Sequence, residues 1–161
     1  MNNKLITLNN MLSLNTRLLV NCFENVSNSQ AQERINEKTN PMIFILMHIL
    51  DARYYLARYV GIHIESPYKK ISGKAKKFED IKEYPTISEI LEYWKEIGEL
   101  IYDGISNLEE EKLEKKSSFS FPVNDNTVLG AITFLIHHES YHIGQLGYLR
   151  KLIGLEAMSY E

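Results

Sequence analysis

The sequence predicts an all-α protein folded as a four-helix bundle, and three observations support this fold class. Apolar residues recur at helical spacing in four long segments, whereas no segment shows the alternation of apolar and polar residues expected of a strand. Only 8 Gly and 4 Pro occur, a low content that favours helices. The length of 161 residues, 44% of them hydrophobic, fits a single domain spanning residues 1–161 with a substantial core.

The first predicted helix covers roughly Asn3–Val26. Leucine and other apolar side chains recur there in steps of three, four and seven residues, which places them on one face. Asn15 and Thr16 interrupt this face near its middle, so they either face solvent or line a polar cavity. A polar connector over residues 27–40 follows, with room for one short helix.

The second predicted helix starts at Pro41. Asn40 is a suitable N-cap, and the fixed φ of proline suits the first helical position. The helix is expected to run to about Val60 and to stop at Gly61. Its apolar residues are so dense that most of its surface is expected to be buried.

The third and fourth helices have clear boundaries in the sequence. Thr86 and Glu89 have the spacing of a capping box, which predicts the start of the third helix. That helix is expected to end in the charged run Glu109–Lys116. The fourth helix is predicted over about Thr127–Ile153, with Gly154 as its stop.

A long linker, His63–Pro85, separates the second and third helices. Loops of this length are uncommon unless they are functional or mobile. The simpler interpretation of its charge is a solvated loop, and the alternative is an electrostatic gate for an anionic substrate. Five lysines support either interpretation: Lys69, Lys70, Lys74, Lys76 and Lys77.

The charge balance and the cysteine content exclude several classes of protein. The net charge of −3 argues against a nucleic-acid-binding protein, which needs a basic face. One cysteine, Cys22, excludes an intramolecular disulfide and a cysteine-cluster metal site, and its position predicts a small buried hydrophobe. The sequence shows neither a secretory signal nor an apolar run long enough to span a membrane, so we expect a cytoplasmic protein without a membrane partner.

The candidate functional site consists of three histidines. His138 and His142 are four residues apart, so they lie on one face of the fourth helix and can bind one metal ion. His48, in the apolar second helix, supplies a third ligand. We expect all three to face the bundle interior, where hydrogen-bonded core histidines are the alternative interpretation. Three histidines with an open position are typical of a catalytic zinc site, although imidazole also suits nickel, copper, iron and cobalt.

Other polar and aromatic side chains are expected near these histidines. Hydrogen bonds to the ligand imidazoles would fix their tautomers, and acidic, amide and phenol groups can make such bonds. The candidates for these bonds or for a catalytic role are Asp51, Glu139, Gln145 and Tyr55, and the candidates for lining the pocket are Tyr54 and Tyr141.

The string from His138 to His142 also matches the H-E-x-x-H motif of zinc proteases, in which Glu139 would be the general base. Such proteases usually add a sheet and a third ligand downstream. No histidine follows His142, so the protease hypothesis is weak.

The arrangement of His48 with His138-Glu139-x-x-His142-x-Gly144-Gln145, on a chain of this length, resembles the DinB-like (DinB/YfiT) superfamily of metal-dependent enzymes. This resemblance implies an up-down-down-up four-helix bundle, often a homodimer, with a divalent metal, zinc or nickel foremost, on the three histidines. It also implies an enzyme with a small-molecule substrate, foremost a low-molecular-weight-thiol S-transferase using bacillithiol or mycothiol, or else a hydrolase. The alternative is a non-enzymatic, stress-related bundle that binds metal or dimerises.

Overall fold

In a computed structural model, which describes residues 3–72 and 78–161, the regular elements are helical. Apart from one isolated bridge between Lys116 and Thr127, the described residues form no β-structure. This confirms the all-α class. The helices are α1 (Asn3–Cys22), α2 (Asn28–Gln32), α3 (Met42–Tyr59), α4 (Lys69–Ser72), α5 (Ile87–Ser106), α6 (Glu110–Leu113) and α7 (Val128–Leu152), with one 3₁₀ turn at Phe78–Asp80.

The four long helices, α1, α3, α5 and α7, enclose one hydrophobic core. Both α1 and α3 pack against α5 and against α7, an arrangement compatible with a helical bundle. Leucine and isoleucine side chains dominate the core, and the single tryptophan, Trp94, is fully buried among them. No helix in the described part of the chain is long and apolar enough to cross a membrane.

The predicted capping box at the start of α5 is confirmed. Thr86 accepts a hydrogen bond from the Glu89 amide, while the Glu89 carboxylate accepts one from the Thr86 amide. Thr127 caps α7 by accepting from the Gly130 amide. The connector 27–40 contains the short α2, which begins with a second capping box at Ser27.

Three predicted boundaries are wrong by a few residues. The first helix ends at Cys22 rather than Val26, because the chain turns through Asn25 with a φ of 61°, in the left-handed region that asparagine tolerates. The second helix begins at Met42, so the extended Pro41 is its N-cap and Asn40 does not cap it. The third ends at Ser106, and α6 lies within the charged run beyond it.

The linker between α3 and α5 contains α4 and the 3₁₀ turn. Lys69 and Lys70 are exposed, and Lys69 pairs with Glu65 one turn away. This agrees with a solvated segment. The other three lysines of the predicted cluster, Lys74, Lys76 and Lys77, lie outside the described residues.

Cys22 is fully buried, as its position on the apolar face of α1 predicts. Burial raises the pKa of its thiol to about 12, despite the opposing effect of Arg150. Because the thiolate is the reactive species, we expect Cys22 not to react with a disulfide reagent in the native protein and to react fully in urea. Rapid labelling of the native protein would contradict this placement.

Candidate metal centre

Arg53 of α3 and Glu139 of α7 form a buried ion pair. The pair lies on the core side of the three candidate histidines. Both side chains are 0% exposed. Arg53 donates through Nε and Nη2 to the two carboxylate oxygens of Glu139, each at 2.8 Å. The two parallel bonds match the planar guanidinium to the carboxylate, which is the geometry that buried arginine pairs favour.

Side chains from α1 and α5 complete the surroundings of this ion pair. Asn15 donates to Glu139 at 3.3 Å, and the Thr16 hydroxyl accepts from Arg53 Nη1 at 2.9 Å. The Arg53 guanidinium also lies 3.0 Å from the centroid of the Trp94 ring. Thus the polar break in the apolar face of α1 lines a buried polar cluster, one of the two possibilities that the sequence leaves open.

Gly98 makes room for this cluster on the α5 side. A Cβ at this position would lie 2.9 Å from Arg53 Nη1, so a larger residue would displace the guanidinium. The close approach of α5 to the ion pair therefore depends on glycine.

The three predicted histidines come together in the groove between α3 and α7. The Nε2 atom of His138 lies 3.2 Å from Nε2 of His48 and 3.1 Å from Nε2 of His142. The three rings meet edge to face, with centroids 4.5–5.1 Å apart. Three imidazole nitrogens therefore point toward one position, and they form a cluster that could hold a metal ion.

The expected orientation of these histidines is wrong. His48 is exposed, and His138 and His142 are half-buried, so the cluster opens to solvent instead of facing the core. Arg53, five residues after His48, turns into the core because Glu139 neutralises its charge. The open side gives a small molecule direct access to the imidazoles.

Gln145 fixes the tautomer of His142. The Gln145 Oε1 atom lies 2.7 Å from His142 Nδ1, and a carbonyl oxygen only accepts, so Nδ1 carries the proton. Gln145 Nε2 in turn donates to the Tyr141 hydroxyl at 3.0 Å. The neutral imidazole of His142 then presents the lone pair of Nε2 to the cluster, which is the form that binds a metal.

The surroundings favour neutral imidazoles in all three histidines. Desolvation by burial, reinforced by the neighbouring His142, His48 and His137, lowers the pKa of His138 to about 4. Partial desolvation of the rings also lowers the pKa of His48 and His142, against the opposing effects of Asp51 and Gln145, respectively. At neutral pH the imidazole of His138 is therefore already neutral, and binding a cation does not require the loss of a proton.

The nitrogen geometry fits a divalent transition metal. Zinc binds imidazole nitrogen at about 2.0–2.1 Å in a tetrahedron, which separates two ligand nitrogens by about 3.3 Å. The separations of 3.1 and 3.2 Å in the cluster are close to this value. His138 Nδ1, buried without a hydrogen-bond partner, leaves that imidazole less firmly oriented than His142.

Aromatic side chains extend the groove beyond His138. The Phe134 ring lies 6.1 Å from the His138 ring, and the Phe121 ring lies 5.0 Å from Phe134. Tyr55 and Tyr59 contact Phe121 from α3, with centroids 6.2 and 6.1 Å away. These rings form an apolar wall on one side of the three histidines. Neither phenylalanine lies in a sequence motif that predicts this position.

The other predicted residues lie in different surroundings. Tyr141 packs against His142, with ring centroids 5.1 Å apart, at the mouth of the groove. The charge of Asp51 opposes the lowering of the His48 pKa that desolvation causes, and the Asp51 carboxylate accepts a hydrogen bond from Ser66. Tyr55 pairs with the Tyr59 hydroxyl, in the aromatic wall. Tyr54 is buried on the side of α3 nearer Tyr93 and Glu96 of α5, so the expectation that it lines this pocket is wrong.

Glu139 points away from the histidine cluster. One residue along a helix turns a side chain by about 100°, which directs Glu139 into the core while His138 faces the groove. Both of its carboxylate oxygens are bound by Arg53. It is therefore not positioned as the general base that the protease hypothesis requires.

Arg53 is a buried residue beside the site that the sequence patterns above do not predict. A charged residue inside the densest apolar helix indicates a buried partner, because an unpaired buried charge is very costly. The partner, Glu139, is 86 residues away, so local periodicity alone does not identify it.

The structure defines the class of a helical protein with three clustered histidines that could hold a metal ion, and comparison with known families agrees. The family model described as the DinB superfamily matches residues 11–146. The chain therefore belongs to the DinB superfamily, as the resemblance predicts. A search of curated proteins found no match for this chain.

The contact between Gln145 and His142 leads to a test by metal titration. We expect Gln145→Ala to weaken Zn²⁺ binding by about 10–100-fold, because the loss of a partner that orients a ligand histidine has this effect. Calorimetry with the wild type and the variant measures the change. Gln32→Ala, at an exposed position in α2, is the matched control and should bind as the wild type does.

Proposed function

We propose that this protein is a divalent-metal-dependent enzyme whose metal is held by His48, His138 and His142. The observation that supports it most is the convergence of three Nε2 atoms in an open groove. Three protein ligands leave a position for a reactant, as in catalytic rather than structural zinc sites. Zinc and nickel both suit this set of ligands.

The reaction that we propose is S-transfer from a low-molecular-weight thiol to an electrophile. When bound, a divalent ion lowers the pKa of a thiol, or of water in a hydrolase, and so supplies the nucleophile. The chain's own residues hold and orient the reactants. Gln145 keeps Nε2 of His142 free of a proton. The rings of Phe134 and Phe121 offer an apolar surface beside His138 for the electrophile.

An assay with monochlorobimane tests this reaction. The thiol sulfur forms a bond to the carbon that carries chlorine, chloride leaves, and the thiol proton passes to solvent. With bacillithiol or cysteine as the thiol, we expect the zinc- or nickel-loaded protein to accelerate this reaction. Chelation or His48→Ala should return the rate to the background.

The matched control is His137→Ala. His137 is an exposed histidine on the same helix but outside the cluster, so its loss should leave the rate unchanged. A rate that survives chelation, or that falls equally in both variants, would contradict the proposed transferase. Metal binding without any accelerated reaction would instead favour the non-enzymatic metal-binding protein.

We also infer that the four long helices run up, down, down and up. Hydrogen bonds from Asn9 to Tyr102 and from Trp94 to Thr16 support antiparallel α1 and α5. Contacts of Asn15 with Ile136 and of Cys22 with Ile143 support parallel α1 and α7. His48 lies beside His138, whereas Ile45, one turn earlier in α3, lines a cavity with Tyr148, further along α7. This order of contacts supports antiparallel α3 and α7.

We propose that the protein is a single-domain homodimer, as the family resemblance implies. Exposed apolar side chains on α1 support a self-association surface, because large exposed apolar groups often mark interfaces. They are Ile6, Met11 and Leu14. Light scattering would give the mass of the assembly.

Cytoplasmic location and the absence of a nucleic-acid partner stay predictions from the sequence.

A further inference from the structure

A cavity adjoins the three-histidine cluster at the opposite end of the groove from the aromatic wall. Its volume is about 270 Å³, enough for a small metabolite fragment. The segment before α3 contributes Lys38, Thr39 and Asn40, α3 contributes Ile45, and α7 contributes Gln145 and Tyr148. Gln145 joins the two sites, because its Oε1 accepts from His142 while its side chain lines the cavity.

The cavity has the chemistry of an anion site. Among the described residues that line it, Lys38 carries a positive charge and none is acidic. Asn40 and Tyr148 add an amide and a phenol that can donate hydrogen bonds. A carboxylate placed there would meet one cation and neutral donors, without repulsion from a lining carboxylate.

The segment that carries Lys38 is held in place by its own hydrogen bonds. Arg34 Nε donates to the Thr39 carbonyl at 2.9 Å, and the Lys38 amide donates to Asn36 Oδ1 at 2.9 Å. Arg34 in turn forms an ion pair with Glu79, which is not among the residues that line the cavity. The backbone that presents the cation is thus ordered before any ligand binds, which lowers the entropy cost of binding.

The spacing of residues along α3 and α7 indicates the shortest ligand that can join the two sites. Ile45 lies three residues before His48, and Gln145 lies three residues after His142. Three residues of helix rise about 4.5 Å. A molecule whose two ends are joined by two or three carbon atoms is therefore long enough to place one end in the cavity and the other at the histidines.

From these observations we propose that the cavity binds the carboxylate of a small thiol whose sulfur reaches the three-histidine cluster. This inference rests on the proposed metal-dependent function and names the class of its co-substrate, a mercaptocarboxylate. Lys38 is its specificity-determining residue, because it supplies the only charge among the described residues that line the cavity.

Binding to the cobalt-loaded protein tests this inference without an activity measurement. Mercaptopropionate and its neutral analogue mercaptopropionamide are titrated while the thiolate-to-cobalt absorbance is followed. We expect the carboxylate to bind more tightly than the amide. Lys38→Met should weaken mercaptopropionate binding by about three- to tenfold and leave mercaptopropionamide unchanged, as for a partly exposed charge-assisted contact.

Lys95→Met is the matched control, since it removes one positive charge from an exposed position on α5. It should leave both affinities unchanged. Equal affinities of the two thiols, or an equal effect of the two lysine variants, would overturn the anion site while leaving the metal centre intact.

If the protein binds no cobalt, the proposed function fails. Calorimetry of mercaptopropionate with the metal-free protein then tests separately whether the cavity binds a carboxylate. Binding that Lys38→Met abolishes would support the anion site, and no binding would overturn it.

Discussion

Glu139→Ala is expected to lower the free energy of unfolding by about 3–5 kcal/mol, because it leaves the fully buried Arg53 without its counter-ion. Domains are commonly stable by about 5–15 kcal/mol, so this loss is a large fraction of the total. Urea unfolding followed by circular dichroism measures it. Glu92→Ala, at an exposed position on α5, is the control and should unfold at the same urea concentration as the wild type.

A double variant separates the ion pair from simple loss of packing. Arg53→Met combined with Glu139→Leu removes both charges and keeps most of the volume, and such replacements are often neutral or stabilising. We therefore expect the double variant to be more stable than Glu139→Ala. Stability no better than that of the single variant would mean that the unpaired charge is not the cause of the loss.

Zinc is expected to raise the melting temperature by about 8–16 °C when its free concentration is a thousand times the dissociation constant. An ion that binds only the folded state stabilises it by about 4 kcal/mol under this condition, and each kcal/mol is worth about 2–4 °C in a domain of this size. Differential scanning calorimetry of metal-free protein, with and without zinc, measures the shift.

The expected shift depends on the histidine cluster. His138→Ala removes the imidazole whose Nε2 lies within 3.2 Å of both others, so zinc should stabilise this variant far less. His137→Ala should keep the full shift because His137 lies outside the cluster. A shift of the same size in His138→Ala would assign the stabilising zinc to another part of the protein.

The sequence predicts best what local interactions decide. The capping box of Thr86 and Glu89 is confirmed because its hydrogen bonds join residues three apart. The i and i+4 spacing likewise brings His138 and His142 together on one face of α7. His48 joins them as predicted, since a histidine in an apolar helix suggests a specific partner.

The orientation of α3 could not be predicted in the same way. Its apolar residues surround most of the helix, so periodicity does not distinguish the side of His48 from the side of Arg53. The pairing of Arg53 with Glu139 decides between them, and this contact joins residues 86 apart in sequence. The aromatic wall and the cavity beside Lys38 likewise depend on how loops meet helices, which local patterns do not encode.

The metal content of the purified protein tests the central claim most directly. Wild type and His142→Ala are purified without a metal-affinity column and analysed for bound elements, with circular dichroism to check that both are folded. We predict about one equivalent of a divalent transition metal in the wild type and a large loss in the variant. Equal metal in both proteins, or none in a folded wild type that also fails to take up added zinc, would contradict the three-histidine metal centre.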